Sequence, residues 1–273
     1  MKKLLCFVAL AFAFSSAEAK WVKKAGPRQG NWQFEAIDEE WALGKGEGAE
    51  NKKAYHWENG KWVKKAGPGQ ENWKFQDIGN GWAIGKSGGM KRFAYKWNGK
   101  KWEYKPQDAS LYFSRIGGDG WALGKYNNYI YHWYKKDGSY KCWHMFDSRT
   151  SEVSTRTKLF KWLDVGNSWA ISAKVQPPFA QDIKERLRAF EWQSTEWKAY
   201  EWASRSKKIA FSKIGDGCAL AGWGNLAGKA FFFDADKKVW KQIGDGKFGD
   251  IGGKGWAIGN SNGVEDGKVY HWE

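Results

Sequence analysis

The sequence predicts an all-β chain folded as a six-bladed β-propeller of four-stranded blades, and three observations carry that prediction. A block of the form aromatic-x-x-[Ile/Val] leading to Trp-Ala-[Ile/Leu]-Gly, or a close variant of it, recurs six times, starting at residues 34, 75, 113, 162, 211 and 248. Each copy is followed by an aromatic triplet, such as Tyr55-His56-Trp57 or Tyr270-His271-Trp272, and five of the triplets by one more Trp, at 62, 102, 143, 197 and 240. Finally, from residue 20 the repeats open on a segment of the last type and close on one of the triplet type, the arrangement that ring closure needs.

Taken in chain order, residues 1–19 read as a signal peptide. Lys2 and Lys3 precede an apolar run from Leu4 to Phe14, and Ser15, Ser16 and Ala17-Glu18-Ala19 supply small residues for cleavage before Lys20. Residues 20–273 are then a single exported domain, extracellular or periplasmic. No later run approaches the roughly 20 apolar residues that a membrane span needs.

Within each repeat, four short segments separated by Gly, Asn and Asp turn residues read as strands A to D. Strand B alternates large and small residues, Trp41 and Leu43 against Ala42 and Gly44, so neither of its faces is polar. A strand apolar on both faces belongs between packed sheets, and large-against-small faces let one sheet nest on the next. The octapeptide KWVKKAGP occupies residues 20–27 and recurs at 61–68, a period of 41. Its second copy is the D strand of the first repeat; its first copy has no A, B or C strand before it. Tyr270 to Glu273 form a C strand with no D strand after it. Pairing the first strand into the last blade closes the ring and removes exposed edges. Nineteen of the 21 Trp fall on strand positions, leaving Trp202 and Trp223 outside, so abundant Trp signals packing first.

The formal charge of +15 favours acidic partners over neutral ones. For an exported protein these are lipopolysaccharide, sulfated or uronic polysaccharides and anionic cell surfaces, bound in a salt-sensitive way, rather than nucleic acid. Cys142 and Cys218 lie in different repeats and make no disulfide framework. No CxxC or HExxH spacing occurs, so neither a metal nor a cofactor is expected. His56, His132 and His271 share the middle of the triplet in repeats 1, 3 and 6, too far apart to meet at one metal, and are expected to pack against neighbouring blades.

The order Ile-Gly-x-Gly-Trp-Ala-[Ile/Leu], then a Tyr-x-Trp triplet, then Asn-Gly-Lys-Trp or a variant, resembles the tectonin repeat of tachylectin-like and fish-egg-type lectins. The resemblance spans residues 20–273, with a long insert in repeat 4 and Cys218 in place of the strand-B Trp of repeat 5. It implies a six-bladed propeller that binds carbohydrate without catalysis, often on microbial surfaces as in innate immunity, at several related sites.

Strand alternation puts the B-to-C and D-to-A connections at one end of the ring, and the variable loops there make it the expected binding face. Sugar recognition needs aromatic faces, fixed amides and, for acidic glycans, Lys or Arg. The residues that meet this on that face are Arg28, Gln29, Asn31, Trp32, Lys45, Gln70, Asn72, Trp73, Lys86, Lys125 and Trp223. An enzyme is not expected. The S-x-D-x-G-x-x-W signature of sialidase-type propellers is absent, and the Asp-Gly pairs sit where hairpin turns need them. The rival reading is an exported scaffold for a protein or peptide partner.

Overall fold

The computed structural model describes residues 19–67, 73–86, 92–107, 111–127, 129–144, 160–174, 187–193, 196–200 and 209–273. Residues 1–18 of the expected leader, and Gln70 and Asn72, lie outside them. The described strands form six antiparallel four-stranded sheets. Blade 1 holds β2 to β5 (Phe34–Asp38, Trp41–Gly44, Ala54–Glu58, Lys61–Lys65). Blade 2 holds β6 to β9 (Lys74–Gly79, Trp82–Lys86, Phe93–Trp97, Trp102–Tyr104) and blade 3 holds β10 to β13 (Phe113–Ile116, Trp121–Gly124, Ile130–Lys136, Ser139–His144). Blade 4 holds β14 to β17 (Phe160–Val165, Trp169–Lys174, Leu187–Gln193, Glu196–Tyr200) and blade 5 holds β18 to β21 (Phe211–Ile214, Cys218–Ala221, Ala230–Asp234, Val239–Gln242). Blade 6 is split: β22 to β24 (Phe248–Ile251, Trp256–Gly259, Val269–Trp272) are completed by β1 (Trp21–Lys23). The protein is therefore a six-bladed β-propeller. No helix among the described residues is long and apolar enough to cross a membrane.

Closure follows the repeat logic residue by residue. Trp21 pairs with Trp272 and Lys23 with Tyr270, and the Lys20 and Glu273 backbones exchange two hydrogen bonds, at 2.6 and 3.0 Å. Strand B is buried along its length in blades 1, 3, 5 and 6, as its two apolar faces require.

Tryptophan joins one blade to the next by two contacts. The strand-B ring of one blade meets a strand-D ring of the following blade edge-on, Trp41 against Trp102 and Trp169 against Trp240, both at 5.2 Å. The strand-D indole then donates back to a carbonyl of the preceding blade, Trp62 to Lys24 at 3.1 Å and Trp21 to Ile243 at 3.2 Å. His132 and His271 serve their own blades. Each ring lies against the strand-B Trp, Trp121 or Trp256, and its Nε2 is 3.0 Å from the carbonyl oxygen of Asp119 or Lys254 in the A-to-B turn. Blade 5 inverts the pattern: Cys218 replaces the strand-B Trp, and its register partner is the aromatic Phe232. Cys142 and Cys218 are free thiols, and burial pushes each up to about 12.

The A strands surround the axis, β2 packing on both β6 and β22. At their ends Gly79, Gly117, Gly166, Gly215 and Gly252 form a ring of touching backbones. A Cβ on each would stand 2.3 to 2.7 Å from the backbone of the next blade. Asp38 takes the sixth position, and the axis is closed there.

Candidate functional site

Two features face the B-to-C and D-to-A end or the axis behind it. The first follows from one position per repeat, the residue before the buried Ile or Val of strand A. Around the ring it reads Ala36, Asp77, Arg115, Asp164, Lys213, Asp250, so acid and base alternate except in blade 1. Each Asp bonds a backbone amide of the following blade: Asp77 accepts from Ile116 (2.7 Å), Asp164 from Ile214 (3.0 Å) and Asp250 from Ile37 (3.1 Å). Arg115 sits between Asp77 and Asp164, at 3.7 and 3.5 Å, and Lys213 reaches Asp250 at 3.4 Å. The ring encloses about 30 Å³, room for a water molecule or two.

Electrostatics there are set by burial. It raises the Asp77 carboxyl to about 6 against the opposing pull of Arg115, and it raises Asp164 as well. Asp77 in turn holds Arg115 more firmly protonated. Burial alone would lower Lys213, but Asp250 and Asp164 outweigh it and the net shift is upward. Asp38 plugs the closed end of the axis. Its two oxygens accept the amides of Asn80 (2.9 Å) and Gly253 (2.8 Å), joining blades 1, 2 and 6. Burial still pushes its carboxyl up to about 7. With every acid bonded within the chain, the ring acts as a set of struts between blades. Among the described residues no three His, Cys, Asp or Glu side chains are grouped to hold a metal ion.

The second feature is a cleft of about 570 Å³ where blade 5 meets blade 6, lined by Ser212, Gly222, Lys247, Gly249, Asn260 and Asn262 among others. This volume falls within the roughly 300–1,000 Å³ typical of ligand pockets. Asn260 is committed to holding its walls, donating to the Phe248 carbonyl at 2.9 Å and accepting from the Asn262 amide at 3.0 Å. Trp223, next in sequence to the lining Gly222, leaves 55 % of its surface exposed. It is one of several large apolar side chains exposed singly, Tyr126 more so at 71 %, and it continues the strand face of Ala219 and Ala221, which pack toward blade 4.

The residues expected from sequence do not gather at one site. Gln29 is a correction: it is 9 % exposed, and its amide is consumed by the Gly26 and Trp62 amides and the Trp62 carbonyl. Trp73 is a second correction, because it is buried edge-on against Tyr95 at 5.2 Å with Gly67 and Gly85 closed over its ring. Trp32 is half-buried against Tyr55. Arg28 and Asn31 are exposed on the connector entering blade 1, and Lys125 lies over the Tyr126 ring in blade 3. The strand β7 ends at Lys86.

The expected basic face is also quieter than its lysine count suggests. Lys45 pairs with Asp266 at 2.7 Å, Lys23 with Glu265 at 2.7 Å, Lys24 with Glu273 and Lys64 with Glu50. Those carboxylates lie far away in sequence or in neighbouring loops, so composition alone did not reveal the pairing.

No family model matches the chain, and no curated protein matches it. Among solved structures, YCF48 bound to D1 peptide aligns with TM-score 0.41 at 13% identity, over 93% of this chain and 85% of that one. The Cps50 (Swd1) β-propeller domain of Myceliophteria thermophila gives 0.42 at 8% identity, over 93% and 99%. YCF48 from Cyanidioschyzon merolae gives 0.40 at 12%, over 93% and 98%. Against likenesses this distant, the chain is assigned to the β-propellers by its own six sheets and its strand-completed sixth blade.

Proposed function

We propose that this protein is an exported, non-catalytic carbohydrate-binding propeller of the tectonin type, acting as a lectin toward acidic or microbial surface glycans. The observation that carries the reading is the polar-lined cleft between blades 5 and 6. Sugar binding asks for a pocket of ligand size with hydrogen-bonding side chains on its wall, and the cleft offers Ser212, Asn262 and Lys247 at one junction. Blades 1 and 6 meet across an ion pair instead, so the reading places recognition in the divergent repeats rather than in regular repeats 1 to 3.

A glycan array probed with the purified protein at low salt tests this. Retention on a defined set of saccharides, lost when Ser212→Glu, which fills the cleft wall, is probed in parallel, is the expected result. A blank array together with capture of a peptide ligand would replace it with the scaffold reading.

A further inference from the structure

The cleft is open because blades 5 and 6 lack the side chains that fill the matching space in blade 1. There the second residue of strand A is Glu35, the B-to-C loop carries Lys52 in the left-handed region (φ 60), and Lys52 Nζ lies 2.5 Å from Glu35 Oε1. Blade 5 has Ser212 and Gly228 (φ 77) at these two positions. The backbone fixes the correspondence. The Lys52 carbonyl accepts the amide of Phe75, first aromatic of the next blade, at 2.9 Å, and the Gly228 carbonyl accepts that of Phe248 at 2.8 Å. At the junction of blades 6 and 1 the counterpart of Gly228 is Gly267, and a Cβ on it would stand 2.9 Å from Gln33, which packs across.

What lines the cleft mixes Ser212, Lys247, Asn260 and Asn262 with Leu220 and Phe248 and carries no carboxylate. Lys247 is half-buried on its wall and forms no ion pair among the described residues, whereas Lys23, Lys45, Lys52 and Lys64 each have an acidic partner. The side chains of Ser212 and Asn262 also make no hydrogen bond among the described residues. A lysine on the cleft wall with no acidic partner among the described residues favours an anionic ligand, because a charge-assisted bond is stronger than a neutral one. Two unspent polar side chains beside it suit hydroxyls.

We infer that the cleft between blades 5 and 6 holds one anionic saccharide unit per chain. Its carboxylate, sulfate or phosphate pairs with Lys247, and its hydroxyls meet Ser212 and Asn262. This rests on the carbohydrate-binding reading and names the ligand class and the residues that select it.

Calorimetric titration of the purified protein with glucuronic acid, glucose 6-phosphate and glucose tests the assignment. The two anionic sugars are expected to bind one per chain, and glucose about tenfold more weakly, the difference a single charge-assisted bond supplies. Lys247→Gln should erase that difference. The pair Ser212→Glu with Gly228→Lys rebuilds the blade 1 plug at unchanged net charge and should abolish binding of all three. If that double variant does not fold, Lys247→Gln alone decides. Equal binding of glucose with no effect of Lys247→Gln overturns the anionic class while carbohydrate binding stands. Unchanged binding in a folded plugged variant overturns the location. Absence of binding by all three sugars overturns the proposal, and only a blank glycan array alongside it removes the carbohydrate reading too.

Discussion

The carboxylate of Asp77 in blade 2 accepts the backbone amide of Ile116 in blade 3 at 2.7 Å, and the same carboxylate faces the Arg115 guanidinium. One side chain therefore satisfies a buried backbone donor and a buried cation belonging to the next blade. Asp77→Ala strips both at once and is expected to lower stability by about 2–4 kcal/mol, since an unsatisfied buried donor and an unpaired charge are each costly. Asp77→Asn keeps an acceptor for Ile116 and should lose less. Urea unfolding of the three proteins measures this, and an alanine variant as stable as the parent would show the bridge to be energetically idle.

Stability should fall as pH rises from about 4 to about 7. Burial raises Asp38 from 3.8 to about 7 in the fold, with Glu39 and Asp216 adding to the rise and the Asn80 and Gly253 amides opposing it. Asp77 shifts the same way, to about 6. In that interval the folded state binds more protons than the unfolded chain, so this contribution is complete below pH 3.8 and is lost as pH climbs through the folded values. Asp38→Asn should flatten the slope of the denaturation midpoint between pH 5 and 7. A slope that survives in the variant would assign it to other groups.

By strand register Ala36 holds the position that Asp77, Arg115, Asp164, Lys213 and Asp250 hold in the other blades, where the alternation would put a cation between Asp250 and Asp77. Ala36→Lys should raise stability by about 0.5–1 kcal/mol at low salt, and Ala36→Glu should lower it by more than that, because like charges would face each other in a poorly hydrated channel. Melting temperatures with and without added salt separate the two. Equal melting of the lysine and glutamate variants would mean that the position does not feel the ring.

Two tryptophans of similar prominence in the sequence should behave oppositely. Trp21 lies 4.4 Å from Phe248 and 5.3 Å from Trp272 and donates to Ile243, so Trp21→Ala should cost about 3 kcal/mol. Trp223 is outside the blade packing, and Trp223→Ala should stay within about 0.5 kcal/mol. Differential scanning calorimetry of both variants distinguishes packing from display.

The architecture was legible because it is written as a repeat. Trp-Ala-Leu-Gly encodes a strand with two apolar faces wherever it appears, and the unpaired Lys20 to Gly26 segment has one partner available, the strand ending at Trp272. The site was harder to read because its determinants are tertiary. Gln29 looked like an exposed amide and is instead consumed by Trp62, 33 residues away. Lys45 looked free, and its carboxylate lies 221 residues further on, brought beside it only by ring closure. The axial ring did leave a signal, since one aligned position reads Ala, Asp, Arg, Asp, Lys, Asp, but alternating charge becomes meaningful only when successive blades are set edge to edge around an axis. The cleft likewise announces itself by what is missing, Ser212 and Gly228 standing where blade 1 has Glu35 and Lys52.

The pairing of Lys20 with Glu273 also fixes how the molecule answers to mechanical load. The chain enters β1 and leaves β24 at the same end of that antiparallel pair, with Trp21 opposite Trp272. Tension applied across Lys20 and Glu273 pulls the hydrogen bonds apart one after another, beginning with the outermost, instead of shearing them together. The sixth blade is thus the weak seam of the ring under force, and a tether on one end alone leaves that seam unloaded.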